Sequence, residues 1–361
     1  MVITAFENFV FFSTLLALAA FAFAGAARKL SLSGTWQVRP DTLASIYASA
    51  LALPPIFALW LVAATLLPEW WLGKAAFDAA HSTPLHELHL LSDLTTALEP
   101  ALAYATITFA VAAALFAAWS SLRGYLRVGE VIKRLEMNAA PPPPEHLALV
   151  ERMAAGHDLD VGLVMSDYPL SFVWGFRRSK LVLSSGLLNA LKTEELTGVL
   201  EHESAHHVRR DNLFKLALTM CGYCSMAFSL SHLILRWRAA EVELICDEVA
   251  VARTSTPLEI AEALLKLRRQ TLLPGGYVTT AATFSSSFAP DDAASFERRV
   301  YRLITFVDAM PDPTQAAQSS QTGNGAAFVV ATVLTSTLLG LSLFAPLAVH
   351  HWAEAIIQVI K

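Results

Sequence analysis

Charge is scarce in this sequence. Of its 361 residues 16% are Asp, Glu, Lys or Arg, against 55% hydrophobic. A chain so poor in charge, with a mean hydropathy of +0.47, is not an ordinary soluble enzyme and calls for membrane spans. A basic excess is also missing. The net charge is -5, and no basic patch with interleaved aromatics appears, which argues against direct nucleic-acid binding. Cysteine is nearly absent. Cys221, Cys224 and Cys246 are too few for a disulfide framework, and a reducing cytosol would leave them as thiols. Cys221-Gly-Tyr-Cys224 is formally C-x-x-C, but its apolar helical setting, without a thioredoxin-like strand pattern, reads as packing.

Four stretches lack charge over a length that crosses a bilayer: about 9–27, 43–67, 100–122 and 326–349. Only Glu7 precedes the first, so the basic start of a cleaved leader is missing and a retained span is expected. Arg28, Lys29 and Arg39 follow the first run, and Arg123, Arg127, Lys133 and Arg134 follow the third. Loop 68–99 instead carries Glu69, Asp78, Glu87, Asp93 and Glu99 with Lys74 the only base. The positive-inside rule then places both termini and loop 68–99 outside, with the segment after 122 in the cytoplasm. The expected fold class is an α-helical integral membrane protein with four transmembrane helices and a cytoplasmic α+β domain. Its parts are 1–122 with three spans, a cytoplasmic domain at 123–325, and 326–361 with the fourth span and a short outer tail. The predicted localisation is a bacterial inner membrane.

The chemistry concentrates at Val199-Leu-Glu-His202-Glu203-Ser-Ala-His206-His207. Thr193 as cap and the acidic first turn of Glu194 and Glu195 favour a helix here. A helix puts His202 and His206 one turn apart on one face, where two neutral imidazoles can grip one zinc ion, and sets Glu203 to take a proton from the attacking water. His207 falls off that face. Further on, Glu241-Val-Glu243-Leu-Ile-Cys-Asp247-Glu248 carries Glu243 and Asp247 four apart, a third ligand and a carboxylate able to orient a ligating histidine. H-E-x-x-H followed by E-x-x-x-D is the gluzincin pattern, more specific than either half.

Asn212 to Trp237, between the two halves, is apolar enough to be a span. One crossing would strand Glu243 on the wrong side of the membrane from His202, so a helical hairpin or a membrane-surface helix is expected, kept shallow by Lys215 and His232. Upstream, Ala139-Ala-Pro-Pro-Pro-Pro-Glu145 reads as a stiff spacer. A helix near 145–155 and strands at 161–165, 172–176 and 180–184 follow it. Phe172–Phe176 is the candidate exposed edge strand for an extended peptide. Beyond the metal motif, 272–295 reads as a loop and 296–302 as helix.

Lys180-Leu-Val-Leu-Ser-Ser-Gly186, Glu194-Glu-Leu, His202 to Asp211, Glu243 to Glu248 and Arg299-Val-Tyr-Arg-Leu303, set on this span layout, resemble the BlaR/MecR antirepressor family of membrane metallopeptidases. The resemblance implies Zn2+ held by His202, His206 and Glu243, with Glu203 as base and Asp247 in support. It also implies cleavage of a cytoplasmic protein such as a transcriptional repressor, sometimes with self-cleavage. The chain departs from that family in stopping soon after the fourth span, without a penicillin-binding domain, so direct beta-lactam sensing is not expected. Ser204 stands where an apolar residue is commoner. His232, Tyr301 and Arg299 are in the right part of the chain for an oxyanion donor. His81, His86, His89, His350 and His351 fall outside the membrane on this topology, where they read as solvated loop residues or an external metal- or pH-responsive element. The alternatives are a quality-control protease of the HtpX and CAAX-protease group and a non-catalytic signalling scaffold. The bilayer is the other partner, and a homodimer is left open.

Overall fold

The computed structural model describes residues 2–34, 38–66, 144–176, 179–224, 228–271, 293–308 and 310, with parts of 108–136. The expected third and fourth spans (most of the former and all of the latter), loop 68–99, the proline spacer up to residue 143, loop 272–292 and the five outer histidines lie outside those residues.

Helix α1 (Val2–Leu32) and helix α2 (Pro40–Leu66) pack side by side. Within α1, Ser13–Leu32 is long and apolar enough to cross a membrane. The first half of α2 has a different neighbour from the one its composition suggests. Ala44 packs with Ala205, Val242, Ile245, Cys246 and Val249, and Tyr47 and Leu51 with Leu218 and Ile234. This half of the helix is covered by protein.

After α3 (Pro144–Gly156), strands β1 (Asp160–Val164), β2 (Ser171–Trp174) and β3 (Lys180–Ser184) form one sheet in the order β1-β3-β2. β1 runs parallel to β3, and β2 antiparallel. Ser184 does not end in a loop. Its hydroxyl accepts from the Leu187 N–H and starts a short helix, α4 (Ser185–Ala190). Residues 122–134 are helical and lie on one face of the sheet, Val128 and Ile132 meeting Val164, Phe172 and Val182, while Tyr125 stacks on Trp174 at 4.7 Å between centroids.

The catalytic-type motif lies on α5 (Thr193–Arg209). Its cap is Lys192, one residue before the expected Thr193: the Lys192 carbonyl accepts the first helical bond from Leu196, and its N–H donates to Glu195 at 3.0 Å. Lys266 holds Glu195 in turn, at 2.6 Å. Arg210 then takes a left-handed conformation, φ 55°, and the chain turns directly into α6 (Asp211–Cys224).

Helix α7 (Phe228–Thr254) runs back antiparallel to α6, so the segment between the two half-motifs is a helical hairpin. Ser231 donates to the Gly222 carbonyl at 3.4 Å across it. Helix α8 (Pro257–Thr271) packs on α5, where a Cβ on Gly198 would come within 2.5 Å of Ile260. Helix α9 (Ala293–Thr305) covers α7 and α8, starting three residues before the expected helix.

The main core joins the sheet to α5 through Val173, Leu181, Leu183, Leu187, Leu196, Val199 and Leu200. Leu183 is fully buried in it, so Leu183→Ala should cost roughly 3 kcal/mol and lower the thermal midpoint of detergent-purified protein. Leu265→Ala, on the open side of α8, should change stability by less than about 0.5 kcal/mol in the same scan.

Candidate metal centre

Helical spacing sets His202 and His206 on one face of α5, their rings 5.0 Å apart. The hairpin returns Glu243 to that face. Glu243 Oε2 lies 3.3 Å from His202 Nε2, and Oε1 lies 3.5 Å from His206 Nε2. All three side chains are buried, and their ligand atoms fall within 4.8 Å of one another. His206 Nε2 and Glu243 Oε1 carry no hydrogen bond, while Glu243 Oε2 is met by Arg299 at 3.0 Å and by His202. Burying unbonded polar atoms costs free energy unless something else binds them. Two imidazole nitrogens and a carboxylate converging on one point are a zinc donor set, so these residues could hold that ion.

The outer nitrogen of each imidazole is held by an acid. His202 Nδ1 lies 2.9 Å from Asp247 Oδ1, and His206 Nδ1 lies 2.9 Å from Asp211 Oδ2. This fixes both rings with Nε2 turned inward. Asp247 was expected from the sequence. Asp211 was not assigned a role there, because its approach to His206 depends on the left-handed turn at Arg210, which no helical spacing encodes.

Arginines neutralise these acids. Arg299 grips Asp247 with two bonds of 2.8 Å and approaches Glu243 at 3.0 Å. Arg209 lies 3.2 Å and Arg238 3.9 Å from Asp211. Desolvation raises the pKa of both aspartates, but the guanidiniums, Arg299 for Asp247 and Arg209 for Asp211, overcome it and hold both carboxyls well below their usual range. Glu243 is lowered for the same reason, with Arg299 the main opposing charge to burial. For His202 burial disfavours the cation, but hydrogen bonds to Asp247 and Glu243 outweigh it and push the pKa up to about 10.

Glu203, in the same turn, is buried, and its Oε1 accepts from the Ser171 hydroxyl of β2 at 3.0 Å. The other candidates fall away from this point. Tyr301 is 71% exposed, and His232 lies out on the hairpin against Tyr223. Arg299 is engaged by Asp247 and Glu243. The ring of His207 is not among the converging ligand atoms. Ser204 is buried, donating to the Glu201 carbonyl at 2.8 Å and accepting from Arg253 at 2.9 Å, which ties α5 to α7. Cys246 Sγ lies 3.4 Å from His206 Nδ1, behind the ring.

Strand β2 is the sheet edge beside α5, where a substrate strand was expected, but it is not exposed. Ser171, Phe172 and Val173 are buried. The Leu170 carbonyl accepts from β3, so alternation sends those of Ser171, Val173 and Gly175 to the outer side, where Asn212 donates to Val173 at 2.7 Å and Gly175 at 3.3 Å. Asn212 follows Asp211, so the turn that orients His206 also caps this edge.

Residues 145–271 match the family described as Peptidase family M48. Among curated proteins the chain is similar to a "Protease HtpX homolog" of Methanopyrus kandleri, 28% identical over 170 residues (39% of this chain, 50% of the relative). It is 33% identical over 117 residues to one of Desulforapulum autotrophicum (30% and 37%). It is also 33% identical over 121 residues to one of Persephonella marina (33% and 42%). The chain thus spans half or less of the length of these relatives. No solved structure matches it.

Removing one outer acid, in Asp247→Asn or Asp211→Asn, should weaken zinc binding 10- to 100-fold in a chelator competition while leaving about one zinc per chain at saturation. A cation entering between the ligands displaces the proton that the acids hold on His202. Zinc uptake should therefore release about one proton and tighten as pH rises from about 6 to 8, measurable by titration calorimetry in two buffers of different ionisation heat.

Proposed function

We propose that the chain is a membrane-anchored zinc metalloendopeptidase. The observation that carries this reading is the convergence of His202, His206 and Glu243 beside Glu203, within a segment that matches a peptidase family. The similarity to HtpX homologues and the apolar stretch Ser13–Leu32 support a protease at a membrane.

His202, His206 and Glu243 would hold the ion, which when bound polarises the scissile carbonyl and makes water a better acid. Glu203 takes the proton of the attacking water and delivers it to the leaving amine. Ser171 fixes one oxygen of that carboxylate, so the base is aimed before substrate arrives. Asp247 and Asp211 hold Nδ1 of each imidazole and so keep Nε2 turned inward, and Arg299 keeps Asp247 and Glu243 ionised. A peptide laid along β2 would have to displace Asn212 or use the Ser171 end of the strand, next to Glu203.

For the substrate, the HtpX similarity favours turnover of membrane or membrane-proximal proteins. The local texts around His202, Glu243 and Arg299, on the four-span layout read from charge, favour regulated cleavage of a repressor-like cytoplasmic protein, with self-cleavage as a second outcome. In both, the protease domain faces the cytoplasm of a bacterial inner membrane.

Glu203→Gln should retain zinc and lose 10²- to 10⁴-fold in cleavage of an unstructured protein such as casein by detergent-purified enzyme. If Glu203→Gln cleaves like wild type, Glu203 is not the base. If neither cleaves while both hold zinc, the protease reading fails.

A further inference from the structure

The outer side of strand β2 carries an amide that the metal chemistry does not use. Asn212 Nδ2 donates to the Val173 carbonyl at 2.7 Å and to the Gly175 carbonyl at 3.3 Å. These two bonds take both amide protons. They also settle which way the amide faces, because an oxygen in place of the nitrogen would meet two carbonyl oxygens with nothing to donate. Asn212 Oδ1 is therefore turned away from those carbonyls, and it is buried without a hydrogen bond, although the residue as a whole is only half-buried. An oxygen in that state costs free energy until a donor reaches it.

The side chain that presents this oxygen is tied to the metal centre at both ends. Asn212 stands in the first turn of α6 beside Asp211, whose carboxylate lies 2.9 Å from His206 Nδ1 and 3.2 Å from Arg209. The strand it grips is fixed by Ser171, which donates to Glu203 at 3.0 Å, and by Phe172, packed against Val128 and Ile132. A shift at either end would carry a zinc-type histidine or the base with it. Beyond Trp174 the edge also changes character. Gly175 has φ 117°, which takes the backbone out of the extended region, so a regular ladder of main-chain bonds stops there.

We infer that Asn212 is a substrate-positioning residue, whose Oδ1 accepts a backbone N–H from an extended peptide paired with the Ser171 end of β2. This rests on the protease reading given above. A side-chain amide offers the same donor and acceptor types as a peptide bond, so Asn212 continues the edge outward where Gly175 ends it. Nδ2 stays on β2 while Oδ1 faces the substrate. The contact falls about two to four residues from the scissile bond, roughly 7–13 Å along the strand, the spacing of Val173 and Gly175 from Ser171. It reads main chain and is indifferent to the side chain at that position, with one exception. Proline has no N–H to give and is excluded there.

The test uses the full, zinc-loaded chain in detergent. A peptide spanning one site that the enzyme cuts in casein is synthesised as a series, each backbone N–H outside the scissile bond being replaced in turn by an ester oxygen. Binding is measured by fluorescence anisotropy to Glu203→Gln and to the double variant Glu203→Gln, Asn212→Ala. One ester position should weaken binding to Glu203→Gln about fivefold, the worth of one hydrogen bond, and binding to the double variant by less than about twofold. Proline should be missing from that position among the casein sites cut by wild type and should appear there with Asn212→Ala. An ester scan with no sensitive position, or with the same loss in both variants, overturns the role of Asn212 and leaves the protease in place. Failure of the zinc-loaded chain to cut casein at all removes the protease and this inference together. Asn212→Ser replaces Asn212→Ala if the alanine variant does not hold about one zinc per chain. The scan of Glu203→Gln needs no substitution at 212, so a flat result there overturns the inference whichever variant folds.

Discussion

Everything in this molecule depends on returning one carboxylate, Glu243, to two imidazoles on another helix. His202 and His206 meet by helical geometry alone, but Glu243 is 37 residues beyond His206 and comes back only because the chain makes a hairpin. The return is held by packing at its base, where Ala205 admits Val242, Ile245 and Cys246 close to α5 and Ala44 of α2 closes the contact. The Ser204–Arg253–Glu201 contacts fasten the far end of the same helix pair.

Four buried acids around one point repel one another, and the structure answers with three buried arginines placed on the outer side. Arg209 and Arg238 face Asp211, and Arg299 faces Asp247. The positive charge therefore stabilises the ionised acids, while His206 Nε2 and Glu243 Oε1 keep no hydrogen-bond partner. Removing one arginine would leave a buried carboxylate uncompensated, which is far more costly than losing a surface pair. α9 supplies Arg298, Arg299 and Arg302 to Glu241, Asp247 and Glu248, so a helix distant in sequence completes the electrostatics of the centre.

The parts of this arrangement that follow from period and spacing were legible in the sequence. The one-turn spacing of the histidines, the four-residue step from Glu243 to Asp247, the three strands and the need for a reversal between the half-motifs all follow from local geometry. What was not legible depends on tertiary placement. Asp211 reaches His206 only through a left-handed residue at Arg210, Ser171 reaches Glu203 only because β2 is the strand beside α5, and Arg299 is engaged by Asp247 and Glu243. The apolar start of α2 reads as lipid-facing by composition, yet its neighbours are the metal helices, since hydrophobicity does not distinguish a protein interior from a bilayer. Likewise the edge strand was placed correctly, while its burial depends on Asn212, which period two cannot foresee.

Which atoms hold the ion decides whether His202, His206 and Glu243 are the metal centre. X-ray absorption at the zinc edge of the purified full chain measures this directly. The structure predicts nitrogen and oxygen neighbours only, at about 2.0–2.1 Å, with two imidazole signatures from His202 and His206. A sulfur neighbour at about 2.3 Å would place the metal on cysteine, with Cys246 beside His206 and Asp211 or with Cys221 and Cys224, and would contradict the site described here.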